Sequence, residues 1–195
     1  MQAERVEQAS RAELEAGLDH IRHAPADHGR LELIARRPAE DAREVVDEGI
    51  IHPDHGLVGD NWRVRPTSST PDHSPHPGKQ VLLMNARVAA LVARHPDRWC
   101  LAGDQLYVDL DLSEANLPPG TRLAFGHGPD AAIVEISPEP HLGCHKFAGR
   151  FGRDALRFVN SPAGRRLRLR GVNTRVVRGG TVRVGDTVRK LPLPS

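Results

Sequence analysis

One cysteine of this chain lies in a setting that suits reactive-sulfur chemistry. Cys144 follows Gly143 and precedes His145 and Lys146. Cations beside a thiol favour its thiolate form, which is both the nucleophile and the ligand that soft metals prefer. The glycine permits a close approach of backbone or ligand. The residue types around Cys144 therefore make it a candidate catalytic residue and a candidate metal ligand.

The second cysteine, Cys100, offers an internal comparison. It stands between Trp99 and Leu101, with Arg98 as the nearest cation, and this apolar setting is typical of a small core residue. From spacing alone, the same structural role is open to Cys144. Two cysteines 44 positions apart indicate neither a disulfide framework nor a zinc finger.

The eleven histidines leave several interpretations open. His141 and His145 flank the cysteine, where they would either tune its thiolate or join it in binding zinc. Three ligands on one short loop are hard to aim at a single ion. His52 and His55 either line the mouth of a barrel or are ordinary loop residues.

Composition predicts one globular domain with small attachments. The chain has 195 residues, of which 38% are hydrophobic and 27% charged, so it can bury a core. A net charge of +2 does not indicate a nucleic-acid partner. The charged N-terminus is unlike a secretory signal, and no stretch approaches the ~18 apolar residues of a membrane span. We expect a soluble, cytoplasmic protein without nucleic-acid or membrane partners.

Helical signals are concentrated at the periphery of the predicted fold. Apolar residues at three- and four-residue steps predict a surface helix over residues 2–23, and Val6 belongs to its apolar face. Proline at the start and glycine past the end predict a second helix over Pro38–Glu48. Asn85 is a plausible N-cap for a third helix, and a short fourth is predicted over 154–160.

Strand signals dominate the rest of the chain. Short alternating or β-branched segments predict strands at 31–35, 80–83, 108–112, 121–125 and 131–137, and Leu167 with Leu169 opens a further one. Gly179-Gly180 predicts a two-residue hairpin. Three Gly-Asp pairs, at 59–60, 103–104 and 185–186, predict tight turns. The proline-rich segment 66–78 predicts an exposed, mobile loop. The fold class is therefore mainly β, a closed barrel with three or four peripheral α-helices.

Five segments, in this order, resemble the MOSC domain, which occurs at the C-terminus of molybdenum cofactor sulfurases and in small stand-alone bacterial proteins. They are Gly56–Asp60, Lys79–Leu83, Gly103–Leu106, Gly143-Cys144 and Gly179–Asp186. The resemblance spans roughly residues 30 to 191. It implies a MOSC-like barrel domain at 30–195, preceded by an N-terminal helical extension at 1–29.

The resemblance also implies a function. The family's cysteine corresponds to Cys144, which would carry sulfur as a persulfide or bind the molybdenum of the molybdopterin cofactor. The anionic cofactor needs cations and guanidinium forks. The candidate cofactor-binding residues are His141, His145, Lys146, Arg150, Arg153, Arg170 and Arg175. The residue before the cysteine departs from many relatives, which have proline there.

Partners and alternatives follow from the same resemblance. A sulfur carrier needs a sulfur donor such as a cysteine desulfurase, whose domain this chain lacks. The amidoxime-reducing relatives imply instead a molybdenum-dependent reductase of N-hydroxylated compounds, supplied by separate electron-transfer proteins. A non-catalytic binding module on the same barrel is the third alternative. Nothing in the sequence resembles a pyridoxal phosphate site, although Lys146 has the chemistry for a Schiff base.

Overall fold

The computed structural model describes residues 7–67 and 70–192. Within these ranges it contains six α-helices: α1 Arg11–Ala16, α2 Leu18–Arg22, α3 Ala86–Ala93, α4 His145–Phe151, α5 Arg153–Asn160 and α6 Pro162–Arg166. The strands are β1 Gly29–Arg36, β2 Glu44–Val46, β3 Glu48–His52, β4 Gly56–Leu57, β5 Val81–Asn85, β6 Leu106–Asp109, β7 Arg122–Phe125, β8 Ala132–Ile136, β9 Val172–Arg178, β10 Gly180–Arg183 and β11 Thr187–Lys190. Short 3-10 turns cover Asn61–Arg63, Pro77–Lys79 and Pro96–Ala102.

Seven strands form a closed barrel in the order β1-β6-β5-β9-β8-β7-β11, and β11 pairs back onto β1. The closing register joins Gly29 to Val188 and Arg30 to Thr187. The pairing of β5 with β6 is parallel, and the other barrel pairings are antiparallel. Closure leaves no unpaired barrel edge for another chain to join. The expected closed barrel is confirmed.

Aliphatic side chains fill the barrel interior. Leu31, Leu83, Leu106, Val134 and Val188 come from five different strands, and each is fully buried. A small sheet of β10, β3 and β4 covers part of the barrel. The absence of large aromatic residues from most of this interior matches the low aromatic content of the chain.

A second core joins the helices to the outside of the barrel. Leu14 of α1, Val88 of α3, Phe151 of α4 and Val159 of α5 pack in it together with Tyr107 of β6. This core anchors α4, the helix that follows Cys144. None of the helices in the described ranges has the length and apolar character needed to cross a membrane.

The predicted N-terminal helix is shorter and interrupted. Ser10 and Glu13 form a reciprocal capping box, in which the Ser10 N–H donates to the Glu13 carboxylate over 2.8 Å, so α1 begins after Ser10. Gly17 separates α1 from α2. Residues 7–10 of the predicted range 2–23 are therefore not helical, and Val6, with the rest of residues 2–6, lies outside the described residues.

The helix predicted over Pro38–Glu48 is wrong. Residues 38–43 are irregular, and strands β2 and β3 follow. Val46 pairs with Ile34 of β1, so the β-branched residues here gain ladder hydrogen bonds from a neighbouring strand. That gain depends on a distant partner and overrides the helical end signals.

The Gly179-Gly180 hairpin is also wrong. β10 pairs with β3, not with β9, and neither glycine has a positive φ. A Cβ would lie 2.9 Å from the Ile51 carbonyl oxygen at Gly179 and 2.7 Å from the Asp130 carbonyl oxygen at Gly180. The two glycines therefore let the chain cross closely between the two sheets.

The remaining predictions of elements are mostly confirmed. The strands predicted at 31–35, 80–83, 121–125 and 131–137 fall on β1, β5, β7 and β8, and the helix at 154–160 falls on α5. The Asn85 side chain caps α3 by accepting from the N–H groups of Arg87 and Val88. Two predictions differ from the structure. The strand predicted over 108–112 ends at Asp109, the last residue of β6, and no strand opens at Leu167 and Leu169. Leu167 ends α6, and the next strand begins only at Val172.

Candidate functional site

The Cys144 loop joins β8 to α4 and is tied down by α5. The Gly143 N–H donates to Asn160 Oδ1 over 2.9 Å, and Asn160 Nδ2 donates back to the Gly143 carbonyl over 3.0 Å. A Cβ at position 143 would lie 2.8 Å from Leu156 Cδ1, so a larger residue would have to displace that side chain. Cys144 caps α4 in an extended conformation, and the residue is exposed. The loop thus presents the thiol outward from a fixed backbone.

Cys144 lies on the wall of a cleft of about 880 Å³. The segments that form the cleft are 37–43, 61–67, 75–79, 102–103 and 140–150, together with Leu82, Arg170 and Asn173. Seven lysines and arginines line it, against two carboxylates. Its surface is therefore rich in cations around an exposed sulfur.

Arg37 and Asp60 form a buried ion pair at the base of this wall. Arg37 Nε and Nη2 donate to the two Asp60 oxygens, each over 2.9 Å. Arg37 Nη1 donates to the Gly103 carbonyl over 3.0 Å. The side chains are 7% and 0% exposed, so the pair is a fixed, neutral support for the segment that begins at Pro38.

A second buried carboxylate, Asp104, holds two other residues of the cleft wall. Its Oδ1 is 2.9 Å from His141 Nε2, and its Oδ2 accepts from Arg170 Nη1 over 2.5 Å. Burial alone would raise the pKa of Asp104, but the charges of Arg170 and His141 and their hydrogen bonds lower it to about 2. Asp104 is therefore a carboxylate at neutral pH. The Arg170 guanidinium also lies over the Phe147 ring.

Arg43 and Arg65 supply positive charge that the described part of the chain pairs with no carboxylate. Arg43 Nη1 donates to the Ala42 carbonyl, while its buried Nε has no partner. Burial lowers the pKa of Arg43, and the charges of Arg150 and Arg37 lower it further. Each guanidinium is available to an anionic ligand.

Arg65 is a further cation of the cleft whose wall carries Cys144. Burial lowers the pKa of Arg65, and the charge of Arg37 lowers it further, whereas Asp60 and Cys144 oppose both effects. Arg65 thus adds positive charge to the cleft.

Two further cations lie on α4, close to acidic residues of the 38–43 segment. Lys146 Nζ is 3.1 Å from Glu40 and 3.6 Å from Asp41, and Arg150 Nη2 is 3.1 Å from Asp41. The two carboxylates are largely exposed, so solvent screens these pairs and they are weak. An anion in the cleft could compete for both cations.

Three solved structures share this fold at low sequence identity. The YuaD protein from Bacillus subtilis is 16% identical with a TM-score of 0.62, and the match covers 83% of this chain and 94% of YuaD. YiiM from Escherichia coli is 18% identical with a TM-score of 0.54, covering 85% and 71%. YiiM from Geobacillus stearothermophilus is 14% identical with a TM-score of 0.50, covering 84% and 73%. The barrel is MOSC-like.

The likeness at these identities concerns the fold. Neither a protein-family model nor a curated protein sequence matches the chain. Membership of the MOSC family, the domain boundary at residues 29 and 30, and the roles of the individual site residues therefore stay predictions.

The MOSC-like barrel brings five of the eight predicted site residues to one cleft: Cys144, His141, Lys146, Arg150 and Arg170. The other three lie elsewhere. Arg175 pairs with Glu135 over 2.8 Å on an exposed part of the barrel. His145 and Arg153 are exposed outside the cleft lining.

Several residues of the cleft were missed from the sequence. Arg37, Arg43 and Arg65 come from segments far from the cysteine, and no local motif marked them. Asp60 and Asp104 carried a signal that was interpreted only as structure, because each follows the glycine of a predicted Gly-Asp turn. Gly59 and Gly103 do have positive φ, and the turns place the two aspartates under the cleft wall.

The histidines near the cysteine form no metal cluster. Among residues 7–67 and 70–192, no group of three or more His, Cys, Asp or Glu side chains is arranged to hold a metal ion. The ring centroids of His52 and His55 lie 5.0 Å apart with the rings tilted by 55°, and neither residue lines the Cys144 cleft. His52 ends strand β3, and His55 lies in the turn that follows.

Proposed function

We propose that the chain binds the molybdenum cofactor in the Cys144 cleft, with the Cys144 sulfur as a ligand of the molybdenum or as a carrier of sulfur for it. The observation that supports this most directly is the exposed thiol on the wall of a cleft rich in arginine. When bound, the cofactor would supply oxidation–reduction chemistry at its metal.

The residues present fit such a group in size and in polarity. A volume of about 880 Å³ is typical of small-molecule and cofactor sites. Three buried polar atoms of the lining, Arg43 Nε, Arg170 Nε and Asn61 Oδ1, have no hydrogen-bond partner. Such atoms are costly to leave unpaired, and their presence in the lining calls for a partner such as a water, an ion or a bound ligand.

The phosphate of the cofactor suits the unpaired guanidiniums. Arg43 and Arg65 have no carboxylate partner in the described part, and each offers a planar fork that binds phosphate oxygens in pairs. Lys146 and Arg150 would add charge once the weak contacts to Glu40 and Asp41 are given up. The cleft would therefore hold the anionic end, leaving the Cys144 sulfur for the reactive end.

The thiol itself is positioned for either of its proposed roles. Cys144 Sγ makes no hydrogen bond to a described residue, so its lone pairs are available. The thiolate of such a cysteine is the form that binds soft metals or accepts sulfur.

The test compares two cysteine variants in a host that makes the cofactor. We expect Cys144→Ser to lose about tenfold or more of the bound molybdenum and of the cyanide-releasable sulfane sulfur. Cys100→Ser is the matched control, because Cys100 is 8% exposed and lies in the second core. Equal molybdenum and equal sulfane sulfur in wild type and Cys144→Ser would end the proposal.

A reductase of N-hydroxylated compounds is the second candidate, favoured by the apolar rim of the same cleft. Val64 is 81% exposed and Leu142 is 44% exposed, and both line the cleft beside Cys144. Exposed apolar residues at a binding site are suited to an organic substrate. Turnover of an N-hydroxylated base with an external electron donor would support this candidate, and loaded protein without turnover would favour the carrier.

A further inference from the structure

His141 differs from the other polar groups that line the cleft. Its ring is 16% exposed and lines the cleft, while its Nε2 contacts the buried Asp104. Asp104 is itself fixed by Arg170, whose Nη2 also donates to the Ala102 carbonyl over 2.8 Å. The imidazole therefore has one orientation, set from behind the cleft wall.

The protonation of its neighbour decides the tautomer of His141. Asp104 is ionised, and a carboxylate can only accept hydrogen bonds. His141 Nε2 must therefore carry a hydrogen and donate it to Asp104. In the neutral ring the other nitrogen, Nδ1, then has a lone pair and no hydrogen. Nδ1 makes no hydrogen bond to any described residue, and it is not among the buried unpartnered atoms.

The charges around the ring keep it neutral. Burial lowers the pKa of His141, and the positive charges of Arg170 and Arg37 lower it further, while Asp104 opposes both. Protonation at Nδ1 would place a third positive charge beside two guanidiniums, so the acceptor persists at neutral pH.

We infer that His141 makes the cleft selective for anions that carry their own hydrogen-bond donor. The guanidinium groups around the cleft have only donors and bind any oxyanion. The Nδ1 lone pair is attracted to a P–OH or N–H group and repels an oxygen that has only lone pairs. The inference rests on the proposed function in one respect, namely that this cleft binds an anion.

The relative affinities of inorganic phosphate and sulfate distinguish selection by the His141 acceptor from simple attraction between charges. At neutral pH phosphate keeps at least one P–OH group, whereas sulfate keeps none and has the larger average charge. Attraction by charge alone predicts that sulfate binds at least as tightly as phosphate. An acceptor in the cleft predicts the opposite, because one oxygen of sulfate must face a lone pair.

The experiment is calorimetric titration of the full chain with phosphate and with sulfate at pH 7 and equal ionic strength. For wild type, we expect the phosphate Kd to be at least about tenfold lower than the sulfate Kd. In His141→Ala, the two constants should agree within about twofold. His127→Ala, in an exposed loop, is the matched control and should keep the wild-type ratio.

Asp104→Asn should reverse the preference for phosphate over sulfate, a result that loss of structure would not produce. Arg170 would still donate to the side-chain carbonyl of Asn, so the Asn amide would donate to His141 Nε2. The ring hydrogen would then move to Nδ1 and make it a donor. Sulfate should bind this variant at least as tightly as phosphate. Circular dichroism confirms folding, and His141→Ala remains decisive if Asp104→Asn does not fold.

The outcomes distinguish this inference from the proposed function. If wild type binds both anions with similar constants, or if His141→Ala keeps the tenfold preference, the inference is overturned and the anion-binding cleft is retained. If wild type binds neither anion, both the inference and the proposed anion-binding role of the cleft are overturned.

Discussion

Replacing Arg37 by Met should destabilise the protein far more than the same change at the preceding residue. Arg37 donates three side-chain hydrogen bonds in a buried site, two of them to Asp60. Arg36 also forms a bidentate pair, with Glu44 at 2.7 and 2.9 Å, but both partners are exposed to solvent. The two substitutions remove the same chemical group from adjacent positions, the last residue of β1 and the residue after it.

The size of the Arg37→Met effect follows from what the change leaves behind. Removing one member of a buried pair costs about 3–5 kcal/mol, because the other charge stays buried without its partner. Asp60 would keep hydrogen bonds from the Trp62 N–H, from Gln105 and from the backbone N–H of residue 37. We therefore expect the lower end, about 3 kcal/mol of unfolding free energy.

Urea unfolding followed by circular dichroism measures this difference. With a slope of about 2 kcal/mol per molar urea, Arg37→Met should lower the midpoint by about 1.5 M. Arg36→Met should leave the midpoint almost unchanged, because exposed ion pairs contribute little. Equal midpoints for the two variants, or a loss below about 1 kcal/mol for Arg37→Met, would refute the reasoning that Asp60 is a buried, charge-dependent support.

Acid should weaken the fold through Asp104. Folding lowers the pKa of Asp104 from 3.8 to about 2. The ionised carboxylate therefore adds about 2 kcal/mol to the free energy of unfolding above pH 3.8, and this stabilisation is lost as the pH falls through about 2. Melting temperatures measured across this range should fall for wild type and fall less for Asp104→Asn; parallel curves would contradict the assignment. Gly171→Ala should lower the free energy of unfolding by about 1–3 kcal/mol more than Gly120→Ala does. Both glycines have a positive φ, but only at Gly171 would a Cβ lie 2.3 Å from the Leu83 carbonyl oxygen. Thermal unfolding of the two variants measures this difference, and equal losses would count against the clash.

Local signals in the sequence predicted those parts of the fold whose causes are local. Asn85 caps α3 through its own next residues, and the glycines of the three Gly-Asp pairs have positive φ. Pro38–Glu48 and Gly179-Gly180 were predicted wrongly because distant strands decide their structure. β10 pairs with β3, more than a hundred residues earlier in the chain, and no short window of sequence contains that information.

The candidate site divides in the same way. Lys146 and Arg150 follow Cys144 closely, so they were found with it. Arg37 and Arg65 reach the cleft only through the closure of the barrel, and the sequence around each resembles ordinary arginine-rich surface. A basic residue in a chain with 24 arginines carries little information until its neighbours in space are known.

The pairing of β1 with β11 has a consequence for synthesis of the protein. Gly29 meets Val188, so a chain that leaves the ribosome from its N-terminus has β1 long before the strand that closes the ring. Until residues 187–190 emerge, part of β1 has an open backbone edge, which invites association with other nascent chains. Contacts so distant in sequence also form slowly. Closure of the barrel therefore waits for residues 187–190, and the early helices and the strands that pair soonest must limit aggregation in the meantime.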